Sequence, residues 1–135
     1  MIDELEFHDS TLLSVTAEGA DTVLELDAYV HRTIERDGRE VDTGWEQKLQ
    51  IVVANGEVRR ELPESLGDWR EIWDGTVRIG SKEYLNLVPL DLEATGPAEG
   101  ELEIGNGLLV VAGRGIRIER AGEPGYVEDV PCHRR

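Results

Sequence analysis

The residues Phe7-His8-Asp9-Ser10 bring together, in four consecutive positions, the side-chain types of a hydrolytic triad. Nucleophilic catalysis needs more than those types. The carboxylate must hold the imidazole so that its free nitrogen meets the hydroxyl. In an extended chain His8 and Ser10 project to one face and Asp9 to the other, so Asp9 cannot orient its neighbour. In a turn, Asp9 or Ser10 hydrogen-bonds nearby backbone instead. The expectation is therefore a structural cluster, with His8, Asp9 and Ser10 open as polar or ligand contacts and no catalytic residue assigned.

Other chemistries fare no better. No two of His8, His31 and His133 share a short metal-binding spacing, and Cys132 is the single cysteine, which excludes a cysteine-rich zinc site. The run Asp37-Gly38-Arg39-Glu40-Val41-Asp42 has its glycine misplaced for a calcium loop. Gly105-Asn106-Gly107 and Gly113-Arg114-Gly115 lack the third glycine and the following helix of a phosphate cradle, and read as hairpin turns or bulges. Cys132-His133 falls in a terminal tail beside Arg134-Arg135. No metal and no cofactor is expected. Trp45, Trp69 and Trp73 remain as a candidate aromatic platform for a sugar or small ligand, against the simpler reading that they are core or edge cover.

The elements that would position these residues are strands. Leu24, Leu26, Ala28 and Val30 alternate with Glu25 and Asp27; Trp45, Gln47, Leu49, Ile51 and Val53 alternate with Glu46, Lys48 and Gln50. Leu13, Val15 and Ala17 form a shorter alternating set. Later strands are expected at Val77–Ile79, Tyr84–Leu92, Leu102–Ile104, Leu108–Ala112, Ile116–Ile118 and near Tyr126–Val130. Asp37-Gly38, Asn55-Gly56 and Gly105-Asn106-Gly107 supply hairpin turns between them. Leu62–Asp74 reads as a crossover loop with at most one short helix near residues 63–74. One domain over residues 1–135 is predicted, mostly β: an antiparallel sandwich or partly closed barrel of about eight to ten short strands.

Charge is the strongest signal. Twenty-nine acids face fourteen bases, a formal net charge of −15. Residues 1–31 hold eight acids and residues 83–113 six, with no Lys or Arg in either stretch. A field of one sign selects partners of the other, so nucleic acid and anionic membrane surfaces are excluded as partners and a basic protein is expected. The candidate contacts are Asp3, Glu4, Glu6, Glu25 and Asp27 from the first stretch and Glu99, Glu101 and Glu103 from the second. Twelve Arg against two Lys also fits a compositional adaptation to salt. No apolar run approaches the roughly 20 residues of a membrane span. The opening Met-Ile-Asp-Glu-Leu-Glu lacks a secretory pattern, so a cytoplasmic location is expected.

The segment Phe7-His8-Asp9-Ser10-Thr11-Leu12-Leu13, followed by an acidic alternating strand, resembles small bacterial β proteins that begin Phe-His-Asp-Ser/Ala, some of them like the immunity partners of secreted toxins. The resemblance covers about the first 30 residues and carries over no catalytic residue. It implies a cytoplasmic binding protein, one that neutralises a basic toxin, and the acidic composition makes a non-enzymatic protein-binding domain the leading expectation. Two alternatives stay open: a small-ligand or carbohydrate-binding β module using the tryptophans, and a small β-barrel enzyme with His8 in its mouth.

Overall fold

The computed structural model describes residues 3–67 and 70–130; Trp69, Cys132 and His133 lie outside them. The long alternating segments become a meander of β1 (Asp3–Glu18), β2 (Asp21–Arg36) and β3 (Arg39–Val53). There follow β4 (Glu57–Arg60), β5 (Ile72–Ile79), β6 (Lys82–Leu85), β7 (Leu87–Pro89), β8 (Glu93–Ile104), β9 (Gly107–Arg120) and β10 (Gly125–Asp129). Among the described residues the helical content is a single 3-10 turn, Glu64–Leu66. The first three strands run 15 to 16 residues, longer than the short strands expected. The reason is an uninterrupted β2–β3 register from Thr22↔Val53 to Arg36↔Arg39, closed by Asp37 and Gly38, both at positive φ as a mirror-type turn requires.

All ten strands join one antiparallel sheet in the order β6-β5-β8-β9-β3-β2-β1-β7, with β10 beside the N-terminal half of β3 and β4 beside β9. The sheet coils without fully closing. Its two outermost strands, β6 and β7, are neighbours in the chain, separated by Asn86 alone. Between β1 and β5 the seam is thin: a bridge of Thr11 to Glu71 and a bond from Leu12 N–H to the Arg70 carbonyl at 2.9 Å.

The inner face of the coil is the core. Leu5, Phe7, Leu26, Val30, Leu49, Ile51, Ile72, Val77, Val88, Ile104 and Val111 are buried there, drawn from β1, β2, β3, β5, β7, β8 and β9. Burial of one such aliphatic side chain contributes roughly 1.5–3 kcal/mol. Gly75 on β5 is small for a packing reason: a Cβ there would overlap the Phe7 ring. One alternation fails. The register slips between Leu12 and Ser14, so Leu12 takes the core position and Leu13, expected to share a face with Val15, is 39% exposed.

Candidate functional site

The Phe7-His8-Asp9-Ser10 cluster is a bulge in β1. Pairing with β2 is interrupted between Glu6 and Thr11, and Asp9 adopts φ 77°. The extra residues break the alternation, so Phe7 and Ser10 both point inward while His8 and Asp9 face solvent. Ser10 is 0% exposed; its hydroxyl donates to the Glu6 carbonyl at 2.6 Å and accepts the Tyr29 N–H at 2.9 Å. It thus repairs the two backbone groups that the bulge leaves unpaired. His8 and Ser10 therefore do not share a face, which the extended-strand geometry would have given them. Nδ1 of His8 lies 2.9 Å from the Trp73 carbonyl, and Nε2 lies 3.7 Å from Asp9. The Trp73 carbonyl raises the His8 pKa from its ordinary value; slight burial opposes this, and the charges of Asp9, Glu6 and Glu71 add to it. His8 is exposed beside the seam.

Strand pairing builds a larger feature on the outer face. Register carries one row from Pro89 through Glu4, His31 and Gly44 to Glu128, and the next from Leu87 through Glu6, Tyr29 and Glu46 to Gly125. Five strands thus present Glu4, Glu6, Glu46 and Glu128 within two adjacent rows that contain no Lys or Arg. Two side-chain links stiffen the rows. Glu6 meets His31 Nε2 at 2.7 Å, and the Tyr29 hydroxyl donates to Glu128 at 2.6 Å, with the Tyr29 and His31 rings edge to face at 5.2 Å. Burial opposes ionisation of Glu6, but the hydrogen bond and charge of His31, with help from Asn86 and His8, outweigh it and hold the carboxyl below its usual range. Gly44 lets the Tyr29 ring lie across β3, since a Cβ at that position would collide with it. The far end of β10 is pinned by Asp129, which accepts from Arg36 at 2.8 Å and from the Tyr126 hydroxyl at 2.7 Å.

The eight acids singled out in the sequence do not form one surface. Asp3 faces inward and meets Arg32 at 3.1 Å and Arg120 at 3.5 Å, tying β1, β2 and β9 together. Glu99 and Glu101 on β8 share Arg78 at 2.9 and 3.0 Å, with Glu83 a third partner of the same guanidinium. The sequence segregation of charge is thus partly undone in space, because Arg32, Arg78 and Arg120 come from outside both base-free stretches. Asp27 stands opposite Lys48, Glu25 opposite Gln50, and Glu103 opposite Asp74. Glu4 and Glu6 lie in the outer-face rows. Glu46 and Glu128, which complete those rows, were not singled out: the alternation of β3 places Glu46 outward, but nothing local shows that β10 returns to β3.

Of the three tryptophans, Trp45 and Trp73 are among the described residues. Trp45 packs against the core, its Nε1 donating to Thr43 at 2.7 Å, with the Arg32 guanidinium over its ring at 5.2 Å and Tyr126 edge-on at 5.5 Å. Trp73 is exposed, in a bulge of β5 between Ile72 and Asp74. A separate groove of about 420 Å³ at the other end of the coil is lined by Val15, Val58, Leu62 and Leu109 with Glu61 and Arg70 at its rim. Among the described residues no three His, Cys, Asp or Glu side chains are grouped as metal ligands, and no helix is long and apolar enough to cross a membrane. No protein-family model, curated protein or solved structure matches this chain.

Proposed function

We propose that the protein is a non-enzymatic binding domain whose outer face, across β7, β1, β2, β3 and β10, captures a cationic protein. An immunity-type role, in which it occludes the substrate groove of a basic bacterial toxin in the cytoplasm, fits that reading best. The single observation that carries it is the pair of outer-face rows holding Glu4, Glu6, Glu46 and Glu128 without a Lys or Arg among them. Some acids elsewhere in the fold are matched by guanidinium groups, as at Arg78, whereas Glu103 stands opposite Asp74. Among the described residues Glu6 is paired with His31, while Glu4, Glu46 and Glu128 have no Lys or Arg partner, and like charges on neighbouring strands repel at a cost in stability. A partner bearing Arg or Lys relieves that repulsion and gains association rate from the field.

The test is a binding titration of an octalysine peptide, a minimal cationic probe, from about 0.02 M to about 0.5 M salt, across which screening shortens to a few ångströms. Affinity should fall steeply as salt rises; a flat profile, or no binding at low salt, rejects the acidic face. The toxin role has its own test. A neighbouring gene encoding a basic secreted enzyme, blocked by equimolar amounts of this chain, is the expected result, and an enzyme left fully active is the contrary one.

A further inference from the structure

We infer that the seam of the sheet carries an apolar anchor site, which fixes the partner's register by taking one aliphatic or aromatic side chain that the partner presents between lysines or arginines. This rests on the acidic-face reading and adds the part that charge alone cannot supply.

Trp73 is 54% exposed and Leu85 66% exposed, with Leu87 exposed as well. Val77 and Tyr84 pair on the inner side, so Leu85, opposite Thr76, faces out, and Leu87 lies opposite Glu6 in the outer row; Trp73 is the extra residue of a bulge between Ile72 and Asp74, which leaves its indole in solvent. Asn86 joins the strands that carry them. Its N–H donates to the Gly75 carbonyl at 2.8 Å, its carbonyl accepts the Phe7 N–H at 2.9 Å, and its side-chain oxygen accepts the His8 N–H at 2.9 Å. His8 in turn reaches the Trp73 carbonyl. The two leucines flanking Asn86 and the indole are therefore held on one hydrogen-bonded frame, already ordered before anything binds.

One exposed indole and two exposed leucines, carried on strands that Asn86 joins, forgo several kcal/mol of burial, at roughly 1.5–3 kcal/mol per large side chain. Exposed apolar clusters with a polar rim are a mark of binding surfaces. The rim here is mainly acidic: Glu6 lies across from Leu87, Asp9 next to His8, and Glu71 and Asp74 on either side of Ile72 and Trp73, while Arg78, the next outward residue along β5 from Thr76, is already shared by Glu83, Glu99 and Glu101. That charge selects the occupant. A second copy would set like carboxylates against each other, and an anionic membrane surface would be repelled. A cationic protein with an apolar centre satisfies both parts, the charges steering it and the buried anchor slowing its release.

Two probes of equal charge test this: octalysine, and a peptide with four lysines on each side of Leu-Phe-Leu. Wild-type protein should bind the second about tenfold more tightly. In the Trp73→Ser/Leu85→Ser double variant, whose changes are both at exposed positions, the two peptides should bind equally and octalysine should keep its wild-type affinity. Equal affinities on wild type, or a preference that survives the double substitution, overturn the anchor while leaving the acidic face standing. Failure of octalysine to bind wild type removes the acidic face, and the anchor with it.

Discussion

The side-chain oxygen of Asn86 accepts the backbone N–H of His8 at 2.9 Å, so one residue between β6 and β7 holds the bulge of β1 across the seam. Asn86 does this at φ 64°, a left-handed conformation that asparagine tolerates better than other residues with a Cβ, and both of its backbone groups are engaged as well. Everything assigned to the outer face depends on this clasp, because β7 and β1 carry the near edge of both acidic rows.

Substitutions at Asn86 separate its two contributions. Asn86→Gly keeps the backbone conformation and loses the bond to His8, which should cost about 1 kcal/mol. Asn86→Ala adds left-handed strain and should cost about 2–3 kcal/mol. Chemical denaturation gives the two values. Amide exchange should quicken at Phe7 and His8 before the β2–β3 ladder responds; uniform quickening would deny a local clasp.

Ser10→Ala should destabilise the fold by about 2–3 kcal/mol, since it strands a buried carbonyl and a buried N–H that now meet the same hydroxyl. Octalysine affinity should stay within about twofold of wild type. A fully folded variant that has lost binding would show instead that the serine touches the ligand.

The pH response divides between Glu6 and His8. The Glu6 carboxyl is held below its ordinary 4.5, so the stabilisation it provides is present above that value and fades as pH falls through its lowered pKa. Glu6→Ala should cost about 1–3 kcal/mol at neutral pH by leaving the His31 Nε2 without its partner, and this difference should shrink in acid. His8 is shifted the other way. Its contribution is complete below 6.5 and is lost as pH rises through its raised value. Proton NMR of the His8 ring should give a midpoint above 6.5; one at or below it contradicts the bond to the Trp73 carbonyl.

Charge-neutral substitutions locate the binding face. The triple variant Glu4→Gln/Glu46→Gln/Glu128→Gln removes three carboxylates and keeps the amide acceptor for Tyr29, and should weaken octalysine binding about tenfold. Glu99→Gln/Glu101→Gln, at carboxylates already shared by Arg78, should change it less than twofold. The reverse order would move the site to β8.

Much of the fold was legible because the long strands are amphipathic. Leu24 to Val30 and Trp45 to Val53 announce their core faces, and Asp37-Gly38 fixes the register of the hairpin between β2 and β3. The bulges were not legible. Asp9 at positive φ and the slip after Leu12 depend on how β1 meets β2, β5 and Asn86 across the seam, which no local pattern encodes. The same limit governs the site. Composition signals acidity, but whether a carboxylate is free or matched rests on long-range pairing: Asp3 meets Arg120, and Glu128 reaches Tyr29 only because β10 folds back on β3.

The most direct test of the account is the footprint of octalysine on the amide spectrum at low salt. Shifts should concentrate at Glu4, Glu6, Tyr29, His31, Gly44, Glu46 and Glu128 and vanish as salt is added. Shifts of equal size over β5 and β8, or a footprint indifferent to salt, would contradict a dedicated cation-binding face.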